Sequence, residues 1–322
     1  MPNPAPVLAE VGRGARTRAM PEIIFHQYAM SPFSEKIRKI FALKNLEYRE
    51  VDQPAWMPKP HLTPMTGGYR RIPVLQIGAD VYCDSALIAR TIEKHCAQPS
   101  IHPGGNIVAA EAAAMWADKT LFFSTVALVF TAMAEVIPPA LFEDRRKMFP
   151  QMNLDVLRGA VPGSRGALAS ACAMLEASLA RHAHVLGDAF SVADAAVYHT
   201  LWFVRSDPTS AQMIYSRPHL AAWFARIESM GSGRPTAMSG DDAMAVARSS
   251  EPTDVGDALA NDPSELTLGT RVGICSDDLP TDVFVGKLVA LREHEMAIER
   301  ESPEVGRIAV HFPRACYQVR PV

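Results

Sequence analysis

Hydrophobic positions along this chain fall into short blocks up to about residue 100, into helical periods up to about 230, and into short blocks again at the end. Ile23 to Tyr28 (IIFHQY) is a compact apolar run with strand character, followed by the loop Ala29-Met30. Ser31-Pro32 then predicts a helix start, since Ser is a good N-cap and Pro fits the first helical position, where an N–H would have no partner. Ile37, Ile40, Phe41 and Leu43 form its apolar stripe, which puts Glu35, Lys36, Arg38 and Lys39 largely on the wet side. Glu47 to Asp52 alternates and reads as a second strand, and the Pro-rich run from Pro54 to Gly68 is too broken for a long helix. Ile72 to Ile77 is a strand that turns through Gly78-Ala79-Asp80 into Val81-Tyr82 as a hairpin. Asp84-Ser85 caps a helix with Leu87, Ile88 and Ile92 on one face. The order is β-α-β, a loop, then β-β-α.

Past Gly104-Gly105, residues from Ala109 to about Met230 carry hydrophobics at three- and four-residue spacing, which predicts an all-helical region. Ser191 with Asp194 three residues on is a short capping box. Helix propensity fades from Gly231 to Pro263, apart from one Ala-rich piece, and a linker is expected there. From Leu266 to Val322, β-branched and apolar runs return between turn signals and predict a small all-β unit. The expected organisation is therefore a leader (1–21), an α/β domain (22–100), an all-helical domain (106–235), a linker (236–263) and a small β-domain (264–322).

Composition narrows the function classes. Apolar residues make up 48% and charged residues 21% of 322, an ordinary globular balance that excludes a wholly disordered chain. A net charge of −3 provides no overall positive field for nucleic acid or anionic lipid, and the C-terminal β-rich region has no basic excess either. The apolar run from Leu121 to Met133 is interrupted by Ser124, Thr125 and Thr131, short of the roughly 20 residues of a membrane span. Cys83, Cys96, Cys172, Cys275 and Cys316 are odd in number and scattered, which argues against a disulfide framework or structural zinc and for a reducing, cytoplasmic setting. The Pro/Ala/Arg-rich start has no signal-peptide core. It reads as a disordered leader or a start-site artefact, with Met20 the alternative start and a transit peptide the weaker reading. Gly12-x-Gly14 lies in that leader and precedes no strand or helix, so it is no phosphate loop.

Three motifs occur in order: Ser31-Pro32-Phe33-Ser34 at the first helix, Arg70-Arg71-Ile72-Pro73-Val74-Leu75 before a strand, and Asp84-Ser85 at the next helix. With the βαβ-loop-ββα pattern around them, they resemble the thioredoxin-fold domain of glutathione transferases. The following segment, with its Ser191/Asp194 cap, resembles that family's helical domain. The resemblance runs from about Glu22 to Met230, and YRRIPVLQIGADVYCDS looks closest to a branch that carries a C-terminal extension.

The resemblance implies a serine-type enzyme in which Ser31 stabilises the thiolate of glutathione as a hydrogen-bond donor. A thiol of ordinary pKa, roughly 8.5, is mostly protonated at neutral pH, and a donor beside a helix N-terminus can lower it. An N-cap alone is the competing role for Ser31, second to the catalytic one, and Tyr28 and Ser34 stand close enough to serve instead. The absence of Cys at position 31 argues against a glutathione-disulfide oxidoreductase. Ile72-Pro73 resembles the family's cis-proline turn, which pairs with the cysteinyl backbone of glutathione, while a trans Pro at a strand start also fits the sequence. Asp84-Ser85 resembles the pair that receives the γ-glutamyl end, and an ordinary helix cap is the plainer reading. Arg71 or Lys59 would hold the glycyl carboxylate, unless both are only solvated charges.

For a hydrophobic electrophile the chain offers Met30, Trp116, Phe122, Phe123 and Tyr198, although aromatics at helical spacing are more often core. His182, His184 and His199 lack acidic partners at ligand spacing, so no metal is expected. The family further implies a homodimer. A non-catalytic scaffold, and a glutathione-dependent lyase or dehalogenase, are the alternative functions.

Overall fold

A computed structural model describes residues 21–150 and 152–322; residues 1–20 of the expected leader, with Met20 and its Gly-x-Gly, lie outside the described residues. The first domain is built from β1 (Ile24–Gln27), α1 (Pro32–Leu43), β2 (Glu47–Asp52), the short α2 (Thr63–Thr66), β3 (Val74–Ile77), β4 (Asp80–Cys83) and α3 (Ser85–His95). β1 runs parallel to β2 and antiparallel to β3, and β3 pairs antiparallel with β4. This is the expected thioredoxin-like arrangement. Helices α4 (Ile107–Met115), α5 (Phe122–Ala132), α6 (Pro139–Met148), α7 (Leu154–Leu179), α8 (Val192–Val204), α9 (Pro208–Tyr215) and α10 (Pro218–Ser229) make the helical domain. The predicted cap is in place at α8: Asp194, fully buried, accepts from Ser191 N at 2.9 Å, Trp223 Nε1 at 2.9 Å and His184 at 3.1 Å.

Two expectations about these helices need correction. The polar side of α1 is not wet: Glu35, Lys36, Arg38 and Lys39 are all buried, because α1 lies between the first domain's core and α8. Their charges are matched locally, Glu35 with Lys39 at 3.0 Å and with Arg38 at 2.8 Å. Lys36 reaches across into the helical domain, to Asp118. The second correction concerns length and apolarity. α4 and α5 are joined through one π-helical turn, Trp116–Leu121, so Ile107–Ala132 forms a 26-residue helix long and apolar enough to cross a membrane by composition. It packs here against α7 and α8, with 56% of its most apolar window buried, as in a core helix.

The C-terminal region forms β6 (Arg271–Ser276), β7 (Leu279–Leu291), β8 (Glu295–Ser302), β9 (Gly306–Pro313) and β10 (Tyr317–Pro321), preceded by β5 (Arg234–Ala237) and α11 (Gly240–Arg248). The predicted strands are all present, but they do not stand apart. β9 pairs parallel with β4, placing Tyr82 beside His311, and β5 pairs parallel with β2 at the other edge. The outcome is one ten-stranded sheet, ordered β10-β6-β7-β8-β9-β4-β3-β1-β2-β5. Gly233 makes the approach of β5 feasible: at φ +79° a Cβ would lie 3.0 Å from the Leu46 carbonyl oxygen.

One apolar core spans the junction, with Leu62, Met65, Val74, Val81 and Cys83 packed with Ile274, Phe284, Leu288, Ile298, Val310 and Phe312. The segment expected to be a linker is docked as well, since α11 buries Ala243 and Ala247, and Thr253 donates to Asp80 from its N at 2.8 Å and its Oγ1 at 2.9 Å. Along the seam, buried His311 lies between Asp80 (3.1 Å) and Glu295 (2.6 Å) and stacks on Tyr82. Asp254, Glu295 and His311 bring ligand-type atoms within 4.8 Å of one another. Those acids, however, already face cations: Arg292 reaches Asp254 (3.0 Å) and Glu295 (2.8 Å), and Lys94 reaches Asp254 (3.0 Å). The cluster reads as an ionic seam.

Candidate active site

Ser31 sits at the point where β1 ends and α1 begins. Its extended backbone (φ −74°, ψ 116°) lets the hydroxyl oxygen cap the helix by accepting from Ser34 N at 3.2 Å. The preceding loop is pinned from below by Arg38, whose guanidinium donates to the carbonyls of Tyr28 (3.2 Å) and Ala29 (3.5 Å), to Gln27 and to Glu35. A Ser hydroxyl that accepts one bond keeps its own proton to give. Capping and donation to a thiolate are therefore compatible roles for Ser31. Tyr28 also lines the cavity, its hydroxyl accepting from Arg145 at 3.5 Å, whereas Ser34 is fully buried beneath it and does not line it.

Across the cleft, Ile72-Pro73 is cis, and both residues line the same cavity. Asp84 caps α3 at φ +81°, a backbone region costly for any side chain, with Oδ1 accepting from Ala86 N at 2.9 Å. Strained residues of this kind cluster at binding sites. Ser85 beside it accepts from Lys36 Nζ at 3.3 Å, and the same ammonium contacts Asp118 Oδ2 at 2.5 Å. Asp118 in turn bonds His199 Nε2 at 2.9 Å. Burial pushes the Asp118 carboxyl up, but Lys36 and His199 outweigh it and hold it at about 2. Burial keeps His199 below its ordinary value, although Asp118 pulls it up. The chain Ser85–Lys36–Asp118–His199 thus ties the expected γ-glutamyl pocket to the helical domain.

The two candidates for the glycyl carboxylate separate. Arg71 lines the cavity and pairs with Asp278 of the β6–β7 turn at 2.8 Å; Lys119 reaches the other oxygen of that carboxylate at 3.3 Å. Burial pushes Asp278 up, yet Arg71 and Lys119 hold it at about 2. Lys59 does not join the site. It is 1% exposed, donates to the Pro54 carbonyl and does not line the cavity. Burial and the nearby Arg145 lower it to about 8, against the pull of Asp144. The C-terminal region also reaches Asp84: Tyr317 donates to its Oδ2 at 3.3 Å and lies 3.4 Å from the Tyr69 hydroxyl.

One cavity of about 730 Å³ collects the lining residues. Ser31, Arg71, Ile72, Pro73, Asp84 and Ser85 line it together with the apolar Phe122, Phe123, Phe130, Met148, Phe149 and Trp202. Of the residues expected to meet an electrophile, Met30, Phe122 and Phe123 line the cavity; Trp116 and Tyr198 do not, Tyr198 being buried beneath Lys39. His199 is a packed residue on α8, as expected, whereas His182 and His184 lie in the loop between α7 and α8 rather than on helices; all three have an acid within 4 Å, which sequence spacing did not show.

Reading by sequence missed Lys36, Asp118, Asp278 and Tyr317. Lys36 did leave a trace, standing three residues after Phe33 and four before Ile40, on the buried face. Asp118 left none, because the π-turn that aims it breaks the 3.6-residue period.

Comparison with known proteins fits this geometry. The family model for the glutathione S-transferase N-terminal domain matches residues 30–95, and that for the C-terminal domain matches residues 158–226. A GST-like protein from Pseudomonas syringae has a structure similar to this one, with 33% identity and a TM-score of 0.79, over 94% of this chain and 100% of that one. So little of this chain stays unmatched that the likeness must run through the C-terminal strands. A glutathione S-transferase from Rhodospirillum rubrum (17% identity, TM-score 0.52, 64% of this chain and 88% of that one) shares the fold. So does FzlA from C. crescentus (19%, 0.51, 65% and 88%). No curated protein matches the sequence.

Proposed function

The chain belongs to the glutathione transferase family, and on that premise we propose that it activates the thiol of glutathione for attack on a small apolar electrophile. The observation that carries this reading is that Ser31, the Ile72-Pro73 turn and the Asp84-Ser85 helix start line one cavity together with several aromatic side chains.

In this reading, Asp84 takes the ammonium of the γ-glutamyl end. The Ser85 hydroxyl and the exposed N–H groups of α3 take its α-carboxylate. The backbone of Ile72 pairs with the cysteinyl unit as an added strand would. The sulfur then faces Ser31, whose proton is free because its oxygen caps the helix as an acceptor. The thiol proton leaves to solvent, the thiolate is held by the hydroxyl and the N-terminus of α1, and sulfur forms a bond to the electrophile by addition or with loss of a leaving group. Each unit of thiol pKa depression is worth about 1.4 kcal/mol, within the range of one charge-assisted hydrogen bond. The family's homodimer belongs to the same proposal.

Ser31→Ala tests it. Conjugation should fall at least about tenfold near neutral pH while glutathione still binds, and the pH profile should move up by about one unit. Unchanged turnover sinks the assignment. A scaffold without turnover is favoured by one observation, the prior engagement of Arg71 by Asp278. Calorimetry decides, since absence of heat at millimolar glutathione transfers the assignment to the scaffold.

A further inference from the structure

The C-terminal strands do more than extend the sheet, because they engage residues of the cleft at two places, Asp278 from the cavity wall and Tyr317 from beneath it. Tyr317 donates to Asp84, and Asp278 occupies Arg71. Arg71, Lys119 and Asp278 together leave one net positive charge at this end of the cavity, where Arg71 and Lys119 alone would leave two. The contact also engages the terminal nitrogen Nη2 of Arg71, part of the fork through which a guanidinium grips a carboxylate. A ligand carboxylate arriving here meets a cation already engaged and another carboxylate beside it.

We infer that Asp278 is a specificity-determining residue of the thiol-binding cleft, weakening recognition of a free carboxylate at the glycyl end and admitting γ-glutamyl thiols whose tail is uncharged. This rests on the glutathione reading above. The selection is electrostatic and local. Among the described residues Asp278 pairs with Arg71 and Lys119, and Ser31, Ser85 and Pro73 are not among its bonded partners, so the other contacts of such a peptide need not change. Position matters as much as charge: the β6–β7 turn that carries Asp278 is anchored by a sheet continuous with the strands that hold Arg71. The carboxylate is therefore a fixed part of the wall.

The test is calorimetric and needs no knowledge of the electrophile. The full chain is titrated with glutathione and with its glycyl ethyl ester, as wild type and as Asp278→Asn. The wild type should bind the two ligands within about threefold of each other, and Asp278→Asn should tighten glutathione by about tenfold or more while moving the ester less than about threefold. Asp278→Ser supplies the same neutralisation if the amide variant does not fold, and the wild-type ratio needs no variant. A wild type that prefers the free acid tenfold or more, or a variant that moves both ligands equally, overturns the inference and leaves the glutathione reading standing. Binding of neither ligand to any form overturns both.

Discussion

Lys36→Met removes the cation at the centre of the Ser85–Lys36–Asp118–His199 chain, and its cost should shrink as pH falls. Lys36 is 1% exposed and lies 2.5 Å from Asp118 Oδ2. At an effective dielectric of about 20 the gross attraction is about 6–7 kcal/mol, and much of it offsets the desolvation of both ions. Breaking such a pair typically costs about 3–5 kcal/mol, because the surviving charge is left uncompensated. Here a neighbour can respond. His199, held neutral by burial and by the positive charge of Lys36, bonds the other Asp118 oxygen at 2.9 Å. With Lys36 gone, that imidazole is the group among the described residues left bonded to Asp118, and its pKa should rise.

The sign follows from linkage. A His whose folded pKa is depressed lends stability above its unfolded pKa of about 6.5 and loses it as pH falls; one whose folded pKa is raised lends stability below about 6.5 and loses it as pH climbs. The wild type should therefore lose His199's contribution on acidification, while Lys36→Met should recover part of its deficit there. Urea denaturation of both proteins near pH 8 and near pH 6 measures this. The expected penalty is about 3–5 kcal/mol at the higher pH, smaller by about 1 kcal/mol or more at the lower. A penalty below about 1 kcal/mol at pH 8, or one that is the same at both values, would refute the reasoning.

Three other outcomes are expected. A chain ending at Pro263 should be insoluble or aggregated, since it loses Ile274, Phe284, Ile298 and Val310 from the shared core and bares the β4 edge; a monodisperse, folded truncation by size exclusion and circular dichroism would contradict the continuous sheet. His311 is pushed down by burial, but Asp80 and Glu295 outweigh this and raise it, with Asp254 and Arg292 also at the seam. Its contribution to stability is therefore complete below about pH 6.5 and fades as pH rises through the higher folded value, and His311→Asn should flatten that limb of a melting-temperature profile. Phe122→Ala, which enlarges the apolar part of the cavity, should raise KM for an aromatic electrophile several-fold and leave the affinity for glutathione within about twofold; equal loss of both would move Phe122 out of that wall.

Much of the molecule was legible as local pattern. Ser31-Pro32, Asp84-Ser85 and the Ile72 to Ile77 strand each announce themselves through caps, a fixed φ or alternation, and all three converge on one cavity. Misread features have a common cause, which is that pattern reports a residue's neighbours along the chain and not its partners across it. Lys36, Arg38 and Lys39 look solvated until α8 is laid over α1. The C-terminal strands were evident as strands, but nothing in their alternation tells that β9 will choose β4. Asp278 and Tyr317, which depend on that choice, were invisible for the same reason.

The parallel pairing of β4 with β9 also sets a schedule. Tyr82 waits for His311, about 230 residues downstream, and a ribosome adding about 5–20 residues per second needs roughly 10–50 s to deliver it. Through that interval the emerging first domain holds an unpaired strand and half an apolar core, so birth of this protein is a period of exposure that its last sixty or so residues bring to a close.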